Sequence, residues 1–369
     1  MSEIALPTLV GSAAFAAGMA FGAAARRSEF CTMGALSDIL FMADWRRMRA
    51  WVLAMAVAML GSQVLQSLGL VDLGRSIYLS GAIAWAGALI GGVMFGFGMT
   101  LSGGCGAKAL VRLGGGNLKS LVVAIMIGLF ATMTLKGILA LGRIELEQAT
   151  NLALAGRGLA NQGLPALLGG LGLPDAAARV LPVALFAGLA LRWSLGDSQF
   201  RKARPLVLGS MVIGAAVPLG WAITGILGAD EFDPTPLASF TFIAPMGDAL
   251  IYLMTFTGST INFGIAALAG VVAGAFVTAR LQGNFAIEGF TDTADMIRHL
   301  LGGAMMGTGG VLAMGCTIGQ GLTGLSTLSA SSFLAVAAIL AGGVLGLKSL
   351  EEGSVLGGLR AMLPARRSR

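Results

Sequence analysis

Long apolar runs separated by short polar breaks dominate the chain. Nine of them approach the ~20 residues that cross a hydrocarbon core as a helix: Leu6–Ala25, Trp51–Leu70, Ala82–Leu101, Leu118–Leu141, Ala176–Trp193, Leu206–Leu227, Asn262–Leu281, Met296–Ala313 and Phe333–Leu350. The pattern predicts an all-α polytopic membrane protein of about nine transmembrane helices. Two stretches break it. Residues 143 to 163 carry Arg143, Glu145, Glu147 and Arg157 among leucines and alanines, too polar to span, and read as an interfacial helix. Leu237–Thr257 is apolar but interrupted by Pro245, Gly247 and Asp248, which predicts a re-entrant or broken pair of short helices.

Composition agrees with the pattern. Of 369 residues, 56% are hydrophobic and only 11% charged, and mean hydropathy is +0.84, whereas a soluble domain is about one-quarter charged. The first apolar run has no basic residue before it and more spans after it, so it is expected as a retained helix rather than a cleaved signal. No soluble domain is expected.

The formal charge of +6 does not indicate nucleic acid, because the basic residues fall in short loops between spans. They cluster at Arg26, Arg27, Arg46, Arg47 and Arg49, at Lys108, Arg112 and Lys119, between Arg192 and Arg204, and at Arg366, Arg367 and Arg369. By the positive-inside rule these mark the cytoplasm. Nine spans then place the N-terminus outside, the C-terminus inside, and the acidic turn ADEFD at 229–233 outside. Glu288, Asp292 and Asp295 read as a solvated cytoplasmic loop. Asn262 and Asp248, at the edges of spans, read as caps.

Setting residues 91–105 (GGVMFGFGMTLSGGC) against 302–316 (GGAMMGTGGVLAMGC) pairs them without a gap at an offset of 211, aligning Cys105 with Cys316. With the loops assigned as above, the two copies run in opposite directions. Inverted repeats with interrupted helices characterise transporters whose site lies between the halves. The expected organisation is one membrane domain: a first half at 1–142 with motif 91–116, an interfacial connector at 143–175, and a second half at 176–369 with motif 302–327. Gly92 with Gly96 and Gly303 with Gly307 have the GxxxG spacing of close helix packing. Non-helical Gly-Cys turns are tolerated at membrane depth only where protein walls them, so Gly104, Gly106 and Gly315 are expected to line the path with their cysteines.

The three cysteines, Cys31, Cys105 and Cys316, form no CxxC pair, which argues against a dithiol relay within one loop. Copper(I) carriage by thiols and methionines is conceivable, but the methionines are dispersed and His299 is the sole histidine, so no metal or cofactor is expected. A neutral thiol is a weak donor and a soft contact, suited to a sulfur-bearing ion, and half-helix N-termini add positive partial charge for an anion. Lys108 either attracts that anion or snorkels at the interface. Thr317 and Gln320 supply hydroxyl and amide donors beside Cys316, and Cys31 reads as a thiol at the mouth where the ion enters.

The segments FCTMGALSD (30–38), GGCGAK (103–108), GGGNLK (114–119) and GCTIGQGLTGLSTLS (315–329) resemble those of the YeeE/YedE family of sulfur-transport membrane proteins. The resemblance covers nearly the whole chain. It implies an hourglass of two pseudo-symmetric halves with re-entrant loops at the waist, uptake of thiosulfate across the bacterial inner membrane into the cytoplasm, and relay of the ion along the thiols of Cys31, Cys105 and Cys316. It implies transport rather than enzymatic turnover, with membrane lipid around the chain and, as a possible partner, a separate cytoplasmic sulfur carrier or sulfurtransferase. Carriage of another sulfur or selenium species, a thiol-redox relay between Cys105 and Cys316, and an anchor for a soluble sulfur-transfer enzyme are the competing readings.

Overall fold

The computed structural model describes residues 6–362 except 155, 157 and 231–234. Arg157, most of the acidic turn at 229–233, and the tail arginines Arg366, Arg367 and Arg369 lie outside the described residues. The helices are α1 (Leu6–Arg27), α2 (Thr32–Met42), α3 (Arg46–Ser67), α4 (Trp85–Leu101), α5 (Gly106–Gly114), α6 (Leu118–Lys136), α7 (Leu139–Thr150), α8 (Leu164–Gly170), α9 (Asp175–Leu195), α10 (Ser198–Lys202), α11 (Arg204–Ala222), α12 (Ile243–Met254), α13 (Phe263–Leu281), α14 (Thr293–Leu312), α15 (Ala330–Glu351) and α16 (Val355–Met362). One π-helical segment, Ile223–Leu227, continues α11, and another, Gly319–Gly324, lies between α14 and α15.

Every expected span is a helix. Among the described residues, eight helical segments are long and apolar enough to cross a membrane. The ninth, α14, has 20 residues but begins with Asp295, Arg298 and His299 and falls short of that apolarity. It packs against α4 and α6, so neighbouring helices rather than its own hydropathy carry it.

Local chemistry sets the helix starts. Asn117, Asn262 and Asp292 accept from the backbone N–H three residues on, at 2.9, 2.9 and 2.7 Å, satisfying donors that a helix start leaves open. Asp248 is not a cap: it lies within α12, where the Asn262 amide reaches its carboxylate at 3.3 Å. Pro245 does not break α12, because it stands in the first turn, where no intrahelical N–H is needed. The polar stretch from Arg143 is helical only to Thr150; after it a two-residue strand β2 (Leu152–Ala153) pairs antiparallel with β1 (Ala82–Ile83). The loop around Glu288 is pinned rather than merely solvated. Asn117 donates to the Glu288 carboxylate, and the Leu118 N–H donates to the Glu288 carbonyl at 2.9 Å. Asp295 pairs with Lys119 at 2.7 Å.

The packing occurs twice over. An offset near 211 carries α2, α3, α4, α5 and α6 onto α12, α13, α14, Gly319–Gly324 and α15. Their contacts follow suit: α1 packs on α13 as α11 packs on α3, and α4 packs on α15 as α14 packs on α6. The two GxxxG pairs serve those crossings. A Cβ on Gly96 would stand 2.1 Å from the Ile339 carbonyl oxygen of α15, and one on Gly307 would stand 2.6 Å from the Ile127 carbonyl oxygen of α6. Only glycine lets the backbones approach that closely. Each glycine helix therefore clamps the closing helix of the other copy.

Candidate functional site: three thiols at helix turns

One backbone device places all three cysteines. The preceding long helices α1, α4 and α14 end with Glu29, Gly103 and Met314 in the left-handed region, at φ 51°, 68° and 57°. The next N–H, from Phe30, Gly104 or Gly315, reaches back to the carbonyl of Ala25, Met99 or Gly310 at 3.2, 2.8 and 2.7 Å. This is the Schellman ending, which satisfies carbonyls that a helix C-terminus leaves open. The residue after that turn is the cysteine. Cys31 and Cys105 occupy the N-cap positions of α2 and α5, Cys31 with a side-chain capping hydrogen bond and Cys105 without one, while Cys316 stands three residues before the π-helical segment.

The sulfurs look into the starts of these short helices. Cys31 Sγ accepts from the Gly34 N–H at 3.4 Å and Cys316 Sγ from the Gly319 N–H at 3.3 Å. Helix starts present positive partial charge. Around Cys105 stand the Thr317 side chain and the Lys108 backbone, with the thiols of Cys31 and Cys316 further off. Around Cys316 the backbone of Ile318 and Phe242 adds to Gly319, and Phe242 is the residue immediately before α12. Four turns thus meet, two from each copy, and all three thiols are free and buried.

Polar groups in this wall lack partners. The Thr317 hydroxyl faces the Cys105 thiol without an ordinary hydrogen bond, and the Gln320 carbonyl oxygen, Trp51 indole N–H and Ser332 hydroxyl are buried without one. The Gln320 amide nitrogen is committed to the Ala313 carbonyl. Each buried orphan costs about 1–3 kcal/mol, and such a cluster calls for an explanation of its own. Trp51 and Ser332 belong here by packing: a Cβ on Gly321 would strike the Trp51 ring, and a Cβ on Gly324 would strike the Ser332 hydroxyl and the Gln320 carbonyl oxygen. Phe21, Phe240 and Phe242 complete the wall, with the Phe21 and Phe240 rings stacked at 5.4 Å.

Cavities approach this waist from both ends. At the end where α6 and α14 finish, a vestibule of about 420 Å³ is lined by Ser80, Arg143, Glu147, Asn151, Thr241 and Gly315. Arg143 pairs with Glu147 at 2.8 Å there. At the end where α6 and α14 begin, a polar cleft of about 400 Å³ is lined by Arg26, Arg112, Asn117, Lys119, Glu288 and His299. Between them Cys31, Cys105, Lys108, Phe21, Phe30 and Ile318 surround a cavity of only about 10 Å³, room for a single water. The waist is closed.

The residues singled out from the sequence come together, but two change role: the Gln320 amide N–H, expected as a donor to the ion, is spent on the Ala313 carbonyl, and Lys108 is held by a carboxylate. Gly104 packs on the Lys108 stem, Gly106 faces Met246, and Gly315 lies against the Gln320 backbone. Lys108 neither snorkels nor stands free: its side chain is 9% exposed and its ammonium holds the Glu29 carboxylate at 2.8 Å. Sequence reasoning passed over Glu29, Trp51, Thr241 and Arg143. Arg143 alone carried a signal, as a charge beside a span. Trp51, Thr241 and Glu29 reach the waist only through tertiary packing.

Two curated relatives align along most of the chain. The thiosulfate transporter TsuA of Escherichia coli (strain K12) is 25% identical over 319 residues, covering 83% of this chain and 84% of that protein. The thiosulfate transporter TsuA of Spirochaeta thermophila is 26% identical over 331 residues, covering 86% and 92%. The family described as sulphur transport matches residues 27–345, a stretch that holds all three thiol turns and both glycine clamps, and the chain belongs to that family.

Proposed function

We propose that the chain takes up thiosulfate into the cytoplasm across the bacterial inner membrane, the ion passing Cys316, then Cys105, then Cys31. The observation that carries this reading is the repeated turn that sets three free thiols between a vestibule and a basic cleft. Thiol S–H groups and backbone N–H groups are weak donors individually, and a dianion needs several at once without being held too tightly to leave. The orphaned Thr317 hydroxyl adds a donor position beside them. Lining backbone at Gly104, Gly106 and Gly315 keeps the passage narrow. No bond of the ion need be made or broken, so the reading is transport rather than catalysis.

The basic cleft gathers Arg26, Arg112 and Lys119, and the positive-inside rule assigns that face to the cytoplasm, with the N-terminus outside. Cys31 then lies at the exit, beside Lys108, rather than where the ion enters; the vestibule at Arg143 is the way in. The repeat is best drawn as α1–α6 and α11–α15, with α7–α10 as the connector, which moves α9 out of the second half. A separate cytoplasmic sulfur carrier fits as the recipient at the basic cleft.

The deciding experiment is accumulation of sulfur-labelled thiosulfate in cells lacking their own sulfate and thiosulfate importers, with the chain, without it, and with Cys316→Ala. Uptake that requires Cys316 is the expected result. Absence of uptake with the protein present in the membrane would reject thiosulfate as the cargo, and a change of thiol state without accumulation would favour the redox reading.

A further inference from the structure

We propose that Glu29 and Lys108 are the inner gate: their ion pair closes the passage below Cys31 and Cys105, and it opens when Glu29 swings to water and leaves Lys108 to the arriving anion. The inference rests on the reading of the thiols as the path.

Three observations converge on it. Lys108 lines the same 10 Å³ cavity as Cys31 and Cys105, so its position is on the passage itself. Its ammonium is held by Glu29 at 2.8 Å, and the two partners differ sharply in exposure, 9% for the lysine side chain and 59% for the glutamate. The buried partner is anchored, with its stem packed against Gly104; the exposed one is free to move. Glu29 is also the left-handed residue of the turn that places Cys31, at φ 51°, so displacement of its side chain and repositioning of that thiol belong to one local event.

The electrostatics supply the logic. With the pair formed, an anion leaving the thiols meets a neutralised lysine backed by a carboxylate, a combination that does not attract it. With Glu29 withdrawn, the same anion meets a cation at the waist, beside the α5 helix start. The displaced carboxylate does not lack partners, because Arg26 and Arg47 stand close to it, and Arg26 already lines the basic cleft. Lys108 thereby exchanges one counter-ion for another, and the passage carries no bare buried charge in either state.

The test measures how fast Cys31 is modified in vesicles whose basic-loop face is outward, with an anionic methanethiosulfonate reagent and with uncharged N-ethylmaleimide. Glu29→Gln removes the pair at an exposed position, so the fold should survive, as a monodisperse detergent peak would verify. Both reagents should then react faster than in the unmodified chain, the anionic one by about tenfold because Lys108 is left as a bare cation at the waist. Lys108→Met removes the pair from the other side; N-ethylmaleimide should again gain, while the anionic reagent should not, because Glu29 remains. Unchanged rates in both variants would overturn the gate. An equal gain of the anionic reagent in both would overturn the exchange at Lys108. Neither readout requires the chain to move thiosulfate, so failure of the gate and failure of the cargo assignment are separable.

Discussion

A Cβ on Gly98 would stand 2.8 Å from the carbonyl oxygen of Gly302, and one on Gly302 would stand 2.7 Å from the carbonyl oxygen of Gly98. The same reciprocity holds between Gly91 and Gly309, at 2.6 Å each way. Under the offset of 211, Gly91 corresponds to Gly302 and Gly98 to Gly309. The crossing of α4 and α14 is therefore self-matching, as expected where a pseudo-two-fold axis passes between them.

Gly98→Val is expected to destabilise the protein by about 3 kcal/mol or to prevent folding, because neither backbone can retreat without losing the other contact. Gly11→Val, at an α1 position with nothing within 4 Å of an added Cβ, is the matched control and should leave the melting temperature in detergent unchanged. Equal melting of the two variants would show that the glycine crossing does not hold the copies together.

The hydroxyl of Thr317 stands beside the Cys105 thiol, and on the proposed path it would share the ion with Cys105. Thr317→Val keeps its shape and removes the donor. Uptake of labelled thiosulfate should fall by about ten- to a hundredfold, the worth of one hydrogen bond to a charged group, with melting unchanged or slightly raised because an orphaned polar group has gone. Thr317→Ser should retain uptake. A valine variant as active as the unmodified chain would mean that this hydroxyl does not touch the ion.

The spans were legible because a crossing helix must satisfy its backbone internally over ~20 apolar residues, a constraint written directly into Leu118–Lys136 or Ala330–Glu351. The thiols of Cys105 and Cys316 were legible because the repeat aligned them. Other parts were not. The Schellman ending before Cys105 has the glycine such turns favour, but its counterparts use Glu29 and Met314, residues that give no turn signal. Cys31 corresponds by offset to Phe242, so symmetry could not point to it. Glu29 meets Lys108 across 79 positions, and a pair that distant leaves no mark on local pattern. The polar stretch at Arg143 was visible as polar, but its place on a vestibule depends on where α12 and α14 end.

The three turns also differ in cost. Gly103 takes its left-handed φ freely, whereas Met314 pays for it, so the two should respond oppositely to exchange. Gly103→Ala is expected to cost about 1 kcal/mol, with an added Cβ that also approaches the Arg112 guanidinium at 3.2 Å. Met314→Gly should stabilise by up to about 1 kcal/mol. Thermal unfolding of both variants in one detergent checks the pair of signs; a destabilised Met314→Gly would mean that the methionine side chain contributes more through packing than its backbone costs.

Arg143 offers the vestibule its positive charge, but it is already engaged. Its guanidinium holds Glu147 at 2.8 Å and donates to the Thr134 carbonyl at 3.0 Å, which fixes it at the wall of a 420 Å³ space rather than in the passage. Paired with Glu147, it carries no net charge to the vestibule, and removing either partner leaves the other bare, which changes the local concentration of an anion without a contact at the waist. Arg143→Gln should therefore raise the apparent KM for uptake severalfold while leaving the maximal rate nearly unchanged, and the difference from the unmodified chain should shrink as salt shortens the Debye length from about 10 Å at 0.1 M to 3 Å at 1 M. Glu147→Gln should act in the opposite sense, lowering KM by freeing the arginine. A fall in maximal rate with KM unchanged would instead place Arg143 on the ion's path, and a loss of folded protein would reduce it to a strut between α6 and α7.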